Sequence, residues 1–168
     1  MCSHRLGRGS DGKGAGLGAR LQRYAQRMGQ TFTHRIRVRY AECDAQGVVF
    51  NAHYYAYFDI LMTELWRAIL GSYDAMLEGG ADMSVVASGA RFIAPARFDD
   101  EIEVDVRIAR IGTSSVTYEF AAYLEGETLA VTATQTLVLV DLATRKPTPV
   151  PDRWREQIRA FEGDDLDA

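Results

Sequence analysis

Two cysteines are all that the 168 residues contain, Cys2 and Cys43. One lies in a glycine-rich tail and the other beside an acid, so neither a disulfide framework nor a Cys-based metal site is expected. The three histidines, His4, His34 and His53, show no ligand spacing. No metal and no cofactor is therefore expected. No run of eighteen apolar residues occurs, which argues against a membrane-spanning helix. The N-terminus lacks the apolar middle of a secretion signal, and a reduced, cytoplasmic setting is expected. Only four prolines are present. Pro95 closes a strand pattern, and Pro147, Pro149 and Pro151 form a stiff extended connector.

The net charge of −4 is unevenly spread. Residues 1–27 hold five Arg and one Lys against one Asp, which leaves the remainder at −9. An acidic body excludes a broad nucleic-acid surface. Six glycines between Gly7 and Gly18 leave little to pack, so 1–27 is expected to be an unstructured extension. Residues 28–162 are expected to be a single domain and 163–168 an acidic tail. Hydrophobic content of 47% and charged content of 25% suit one core of ordinary size.

The central stretch runs from Tyr40 to Leu70. Glu42 to Phe50 reads as a loop carrying Asp44 and Gly47. Tyr54, Phe58, Leu61, Leu65 and Ala68 then recur at helical steps, and Tyr55, Met62, Trp66 and Ile69 widen the stripe. This predicts a long helix over 51–70, with Asn51 as its N-cap and Gly71 beyond its end. A helix so broadly apolar needs a sheet to cover it. Alternation supplies five strands: 33–41, 83–94, 101–110, 115–124 and 128–140. In the first, His34, Ile36, Val38 and Tyr40 share the inward face. Residues 73–77 read as a short helix closed by Gly79-Gly80. Glu125-Gly126-Glu127 reads as a tight turn, and Asp152 as the cap of a last helix over 153–161. One helix on an antiparallel sheet is an α+β layer architecture.

An acid in a loop that opens a helix can act on a carbonyl, because the helix's first N–H groups are unpaired and its dipole end is positive. Asp44 is the candidate acid, although Asp and Gly before a helix also serve as plain turn residues. Glu64 and Asp59 read as helix-surface charges. Five residues apart, they point about 140° apart around the helix. Cys43 reads as a small packing residue, since no matched histidine orients it.

These residues resemble the acyl-CoA thioesterases of the 4-hydroxybenzoyl-CoA thioesterase family, over roughly residues 30 to 155. The signature is Arg39-Tyr40, Glu42-Cys43-Asp44, Gly47-Val48-Val49 and an aromatic-rich helix opening Asn51-Ala52-His53-Tyr54. The stretches from Arg91 to Glu103 and from Val138 to Pro151 are also similar. The resemblance implies a hotdog fold, an antiparallel five-stranded sheet wrapped around one long central helix. It implies Asp44 as nucleophile or general base and the backbone N–H of Asn51 as oxyanion contact, with Gly47, Val48, Ala52, His53 and Tyr54 at the substrate. Many family members place a histidine at the first helical position and asparagine at the third. Here the two are exchanged, so only the backbone role carries over. The implied substrate is a small, medium-chain or aromatic acyl thioester of CoA or of an acyl carrier protein. Arg91, Arg97, Arg145 and Lys146 are candidates for the CoA phosphates. A homodimer or homotetramer is implied. Alternatives are a hotdog dehydratase or hydratase using His53 with Asp44, and a non-catalytic acyl-CoA or acyl-carrier-protein binding module.

Overall fold

The computed structural model describes residues 32–125, 128–163 and 166. The predicted extension at 1–27, residues Gly126 and Glu127 of the predicted turn and most of the acidic tail lie outside them. Strand β1 is Phe32–Arg37, and a single 3-10 turn follows at Tyr40–Glu42. Helix α1 is Asn51–Ile69 and helix α2 is Tyr73–Glu78. Strands β2 (Ala81–Phe92), β3 (Glu101–Ile111), β4 (Ser115–Leu124) and β5 (Thr128–Asp141) precede helix α3, Asp152–Glu162.

All five strands form one antiparallel sheet in the order β1-β3-β4-β5-β2. β1 and β2 flank α1 in sequence and occupy opposite edges of the sheet, so α1 carries the chain across one face of it. Register shifts in β2, β3 and β5 add local twist to the sheet.

The core is the seam between α1 and the inward residues of the sheet. Phe58, Leu61 and Leu65 are fully buried, as are Ile102, Val104, Val106 and Ile108 of β3 and Tyr118 and Phe120 of β4. Phe58 stacks on Phe120 at 4.5 Å between ring centroids. Farther along the helix, Trp66 Nε1 donates to Tyr118 Oη at 2.8 Å. A buried indole and a buried phenol thereby satisfy each other. Trp154 of α3 meets Trp66 edge-on, and Arg155 donates to the carbonyls of Gly112 and Thr113. At the end of α1, Gly71 adopts φ +101° and donates to Trp66 O, which stops the helix as its sequence position predicts.

Several local expectations are corrected. β1 ends at Arg37, and Tyr40 is 81% exposed rather than inward. The chain leaves the sheet because Glu42 draws it into the 3-10 turn, accepting from the Arg39 N–H. Asn51 is the first helical residue and not the cap, since Phe50 is the extended residue before it. Asp152 is likewise displaced by Pro151 at the cap position of α3. β2 begins two residues early, at Ala81. Helix α1 is not enclosed all round: Tyr55, Ile60 and Ala68 are exposed on its outer side. Most of β2 is exposed as well, with Val85 and Val86 more than half accessible.

Candidate active site

The loop before α1 is a miniature hairpin. Cys43 bridges Val49, Asp44 N–H donates to Val48 O at 2.9 Å, and Gly47 N–H donates to Asp44 O at 2.9 Å. Asp44 Oδ1 accepts from Gln46 N–H at 2.8 Å and so caps its own turn. Gly47 closes this turn at φ +73°. Its nearest neighbour for an added Cβ is Arg97 Nη1 at 4.0 Å, so backbone angle rather than space requires glycine there.

Two anchors fix this hairpin to the body. Val49 N–H donates to Ala96 O and Phe50 N–H to Glu42 O. Glu42 Oε2 accepts from Tyr57 Oη at 2.7 Å and from Arg39 N–H at 2.7 Å. The carboxylate therefore ties the loop to the third residue beyond Tyr54 on the helix. Sequence reasoning missed this pair. Its only signal was a second acid in the loop and a tyrosine on the helix's buried side.

The result is a cleft of about 330 Å³ lined by Asp44, Val48, Val49, Phe50, Asn51 and Tyr54 on one side, and by residues 92–95 on the other. Asp44 is half-buried at its edge. Among the described residues, neither Asn51 N–H nor Ala52 N–H has an acceptor, and the first amide of the helix to find one is that of His53, which donates to Phe50 O. Of the predicted residues, the cleft brings together Asp44, Val48, Asn51 and Tyr54. Gly47, Ala52 and His53 do not line it. His53 sits edge-on to Phe50 and makes no hydrogen bond to Asp44. Phe92 to Pro95, the far wall, arrive from the end of β2, and nothing local in the sequence marks them as site residues.

Cys43 is half-buried against the core, as a packing residue should be. Glu64 pairs with Arg67 on the helix surface, and Asp59 is exposed. Arg97 lies beside the Asp44 turn through the Val48–Arg97 bridge. Arg91, Arg145 and Lys146 are exposed and do not line the cleft. Among the described residues no group of three or more His, Cys, Asp or Glu is placed to hold a metal ion, and no helix is long and apolar enough to cross a membrane.

Tyr54 is buried at the inner end of the cleft, and burial pushes its phenol from the ordinary value near 10 up to about 12, partly offset by the Ala96 backbone. The sign follows directly. Above pH 10 the unfolded chain ionises this phenol while the fold keeps it neutral, so its contribution is complete below pH 10 and is lost as pH rises towards 12. By pH 11 the loss is on the order of 1 kcal/mol. The stability of Tyr54→Phe in denaturant unfolding should therefore fall less steeply than the parent's between pH 9 and 11, with the two curves diverging as pH rises.

A family profile described as the thioesterase-like superfamily matches residues 38–158. The chain belongs to the thioesterase-like superfamily. Relatives of this thioesterase-family chain include the acyl-CoA thioester hydrolase YbgC of Escherichia coli, 30% identical over 120 residues, which are 71% of this chain and 90% of that protein. The acyl-CoA thioesterase YbgC of Haemophilus influenzae is 27% identical over 121 residues, 71% and 88% of the two chains. Among solved structures, the PA5185 protein of Pseudomonas aeruginosa superposes with a TM-score of 0.70 at 31% identity, over 79% of this chain and 92% of that one. A 1,4-dihydroxy-2-naphthoyl-CoA thioesterase from Synechocystis shares the fold, with a TM-score of 0.72 at 22% identity over 79% and 98%. The sheet with its single long helix is the hotdog fold, and the chain is a thioester hydrolase by family.

Proposed function

We propose that this chain hydrolyses acyl-CoA thioesters of medium-chain, small or aromatic acids, with Asp44 as the reacting carboxylate. One observation carries the reading: Asp44 shares a cleft with the opening of α1, where the N–H groups of Asn51 and Ala52 face no acceptor among the described residues. The thioester carbon lies between them. Asp44 either attacks it or takes a proton from the water that does. The carbonyl's electron pair moves onto its oxygen, which the Asn51 N–H holds as charge builds. Collapse of that intermediate breaks the C–S bond and expels the CoA thiolate, which takes up a proton; in the nucleophilic route water then cleaves the Asp44–acyl anhydride, freeing the acid and restoring the carboxylate. The walls formed by Val48, Phe50, Tyr54 and Phe92 suit an apolar acyl group, and the names of the YbgC relatives supply the CoA carrier. Arg97, next to the Asp44 turn, is the best placed of the four cations for a CoA phosphate.

The catalytic unit is residues 28–162, acting in the cytoplasm as a homodimer or homotetramer. The exposed length of β2 is the edge on which a second copy would pair, since among the described residues no strand lies on its outer side. His53, outside the cleft wall, offers the hydratase reading no proton donor. The test is thiol release across a panel of acyl-CoAs of graded length and aromatic character. Turnover of at least one class, saturable and dependent on Asp44, is expected. Binding without release from any of them would favour the non-catalytic module.

A further inference from the structure

Three polar or charged side chains are buried among the described residues: Arg107, Gln135 and Glu162. Arg107 pairs with Glu119, and Glu162 receives the Ile108 N–H. Gln135 is 4% exposed, and its Oε1, like Oε1 of the half-buried Gln157, has no hydrogen-bond partner among the described residues. A buried amide left unpaired costs stability, and such groups call for an explanation.

Its position gives one. Val131, Ala133, Gln135, Leu137 and Leu139 alternate on the buried side of β5. Gln135 pairs across the sheet with Ser88 of β2 and with Tyr118 of β4, whose hydroxyl is engaged by Trp66. The β2 residues beside it on that face, Ser88 and Ala90, are both small. The Asp44 cleft lies at one end of β2, by Phe92, which pairs with Val131. A second cavity of about 490 Å³ lies at the other end. Met62 and Trp66 of α1, Met83 and Val85 of β2, and Leu137 of β5 contribute to its wall. Gln135 falls at the register between the two cavities.

We propose that Gln135 is a specificity residue that binds a hydroxyl carried far along the acyl group. The proposal rests on the thioesterase reading above. An acyl group anchored at Asp44 and extending towards the second cavity passes Gln135. The spacing sets where its hydroxyl must be. Four strand residues separate Val131 from Gln135, about 13 Å. Eight helical residues separate Tyr54 from Met62, about 12 Å. A substituent next to the thioester is too near, whereas one at the distal end of a medium chain reaches. A hydroxyl both donates and accepts, so it satisfies the amide in either orientation.

The test compares the parent with Gln135→Met on three substrates: decanoyl-CoA, ω-hydroxydecanoyl-CoA and β-hydroxydecanoyl-CoA. The parent should prefer the ω-hydroxy substrate over decanoyl-CoA. In Q135M that kcat/KM ratio should fall about tenfold or more, the loss that accompanies removal of one substrate hydrogen bond. The decanoyl and β-hydroxy rates should hold or improve. The melting temperature of Q135M should equal or exceed the parent's, because methionine fills the same space without an unpaired acceptor. An unchanged ratio, an equal loss on all three substrates, or a parent indifferent to the ω-hydroxyl overturns the assignment. So does a Q135M that fails to fold, since the amide would then be structural. Hydrolysis confined to short acyl groups overturns it as well. If the parent releases thiol from no acyl-CoA, the thioesterase reading fails with it; hydrolysis of all three without discrimination sinks only the role of Gln135.

Discussion

Asp44→Asn is expected to lower kcat by about a hundredfold to ten-thousandfold, the range for removing a positioned carboxylate base, and more if the carboxylate is the nucleophile. The change suits the local geometry. Asp44 Oδ1 accepts from the Gln46 N–H, and an asparagine oxygen can accept the same bond. The Asp44–Gly47 turn keeps its backbone hydrogen bond, and Gly47 keeps its φ. The melting temperature and the oligomeric state should therefore match the parent's, and acyl-CoA should still protect the variant against thermal unfolding. The readout is thiol release on whichever acyl-CoA the parent turns over fastest. An Asp44→Asn protein that works within about threefold of the parent would remove Asp44 from the chemistry, because a base contribution cannot be that small. The site would then have no reacting carboxylate at the mouth of the helix. Glu42, the nearest alternative in the loop, is already held by Tyr57 and Arg39.

The sequence was a good guide where one local pattern governs an element and a poor one where a distant contact does. β4 spans Ser115–Leu124, the range its alternation predicts, and α1 runs to within one residue of its predicted end. Both carry long, uninterrupted periodicity. Tyr40 shows the opposite. Its parity placed it inward with Val38, yet the strand stops short where the Arg39 N–H donates to the Glu42 carboxylate, which is also bonded to a helix residue fifteen positions on. No local pattern contains that bond. The candidate site divides in the same way. Asp44, Val48, Asn51 and Tyr54 lie within eleven residues of one another and were legible as a motif. The opposite wall, Phe92 to Pro95, reaches them only because β2 pairs with β5 at the far edge of the sheet. Gln135 lies in the predicted fifth strand, whose apolar end, Leu137 to Val140, marks neither face as inward. Its lack of a partner depends on which residues of β2 and β4 lie beside it, and that is a matter of register.

Asn51→Pro should separate the two functions of the helix opening. Asn51 is the first residue of α1, where proline is well accommodated because the N–H it lacks has no helical acceptor. The preceding residue, Phe50, has φ −63° and ψ 132°, an extended conformation that precedes proline without strain. The substitution thus deletes one N–H and leaves the helix standing, so stability should be unchanged or slightly raised. Catalysis should not survive so well. If the Asn51 N–H holds the oxyanion, its removal costs about 3–4 kcal/mol of transition-state stabilisation, or roughly a hundredfold to a thousandfold in kcat. Asn51→Ala is the control, since it keeps the N–H and removes only the side chain. Its turnover should stay within about threefold of the parent, because the backbone donor is untouched. The opposite pattern, an active proline variant and an inactive alanine variant, would assign the work to the asparagine amide. Equal activity in all three would place the oxyanion elsewhere, with the Ala52 N–H the next donor along the helix.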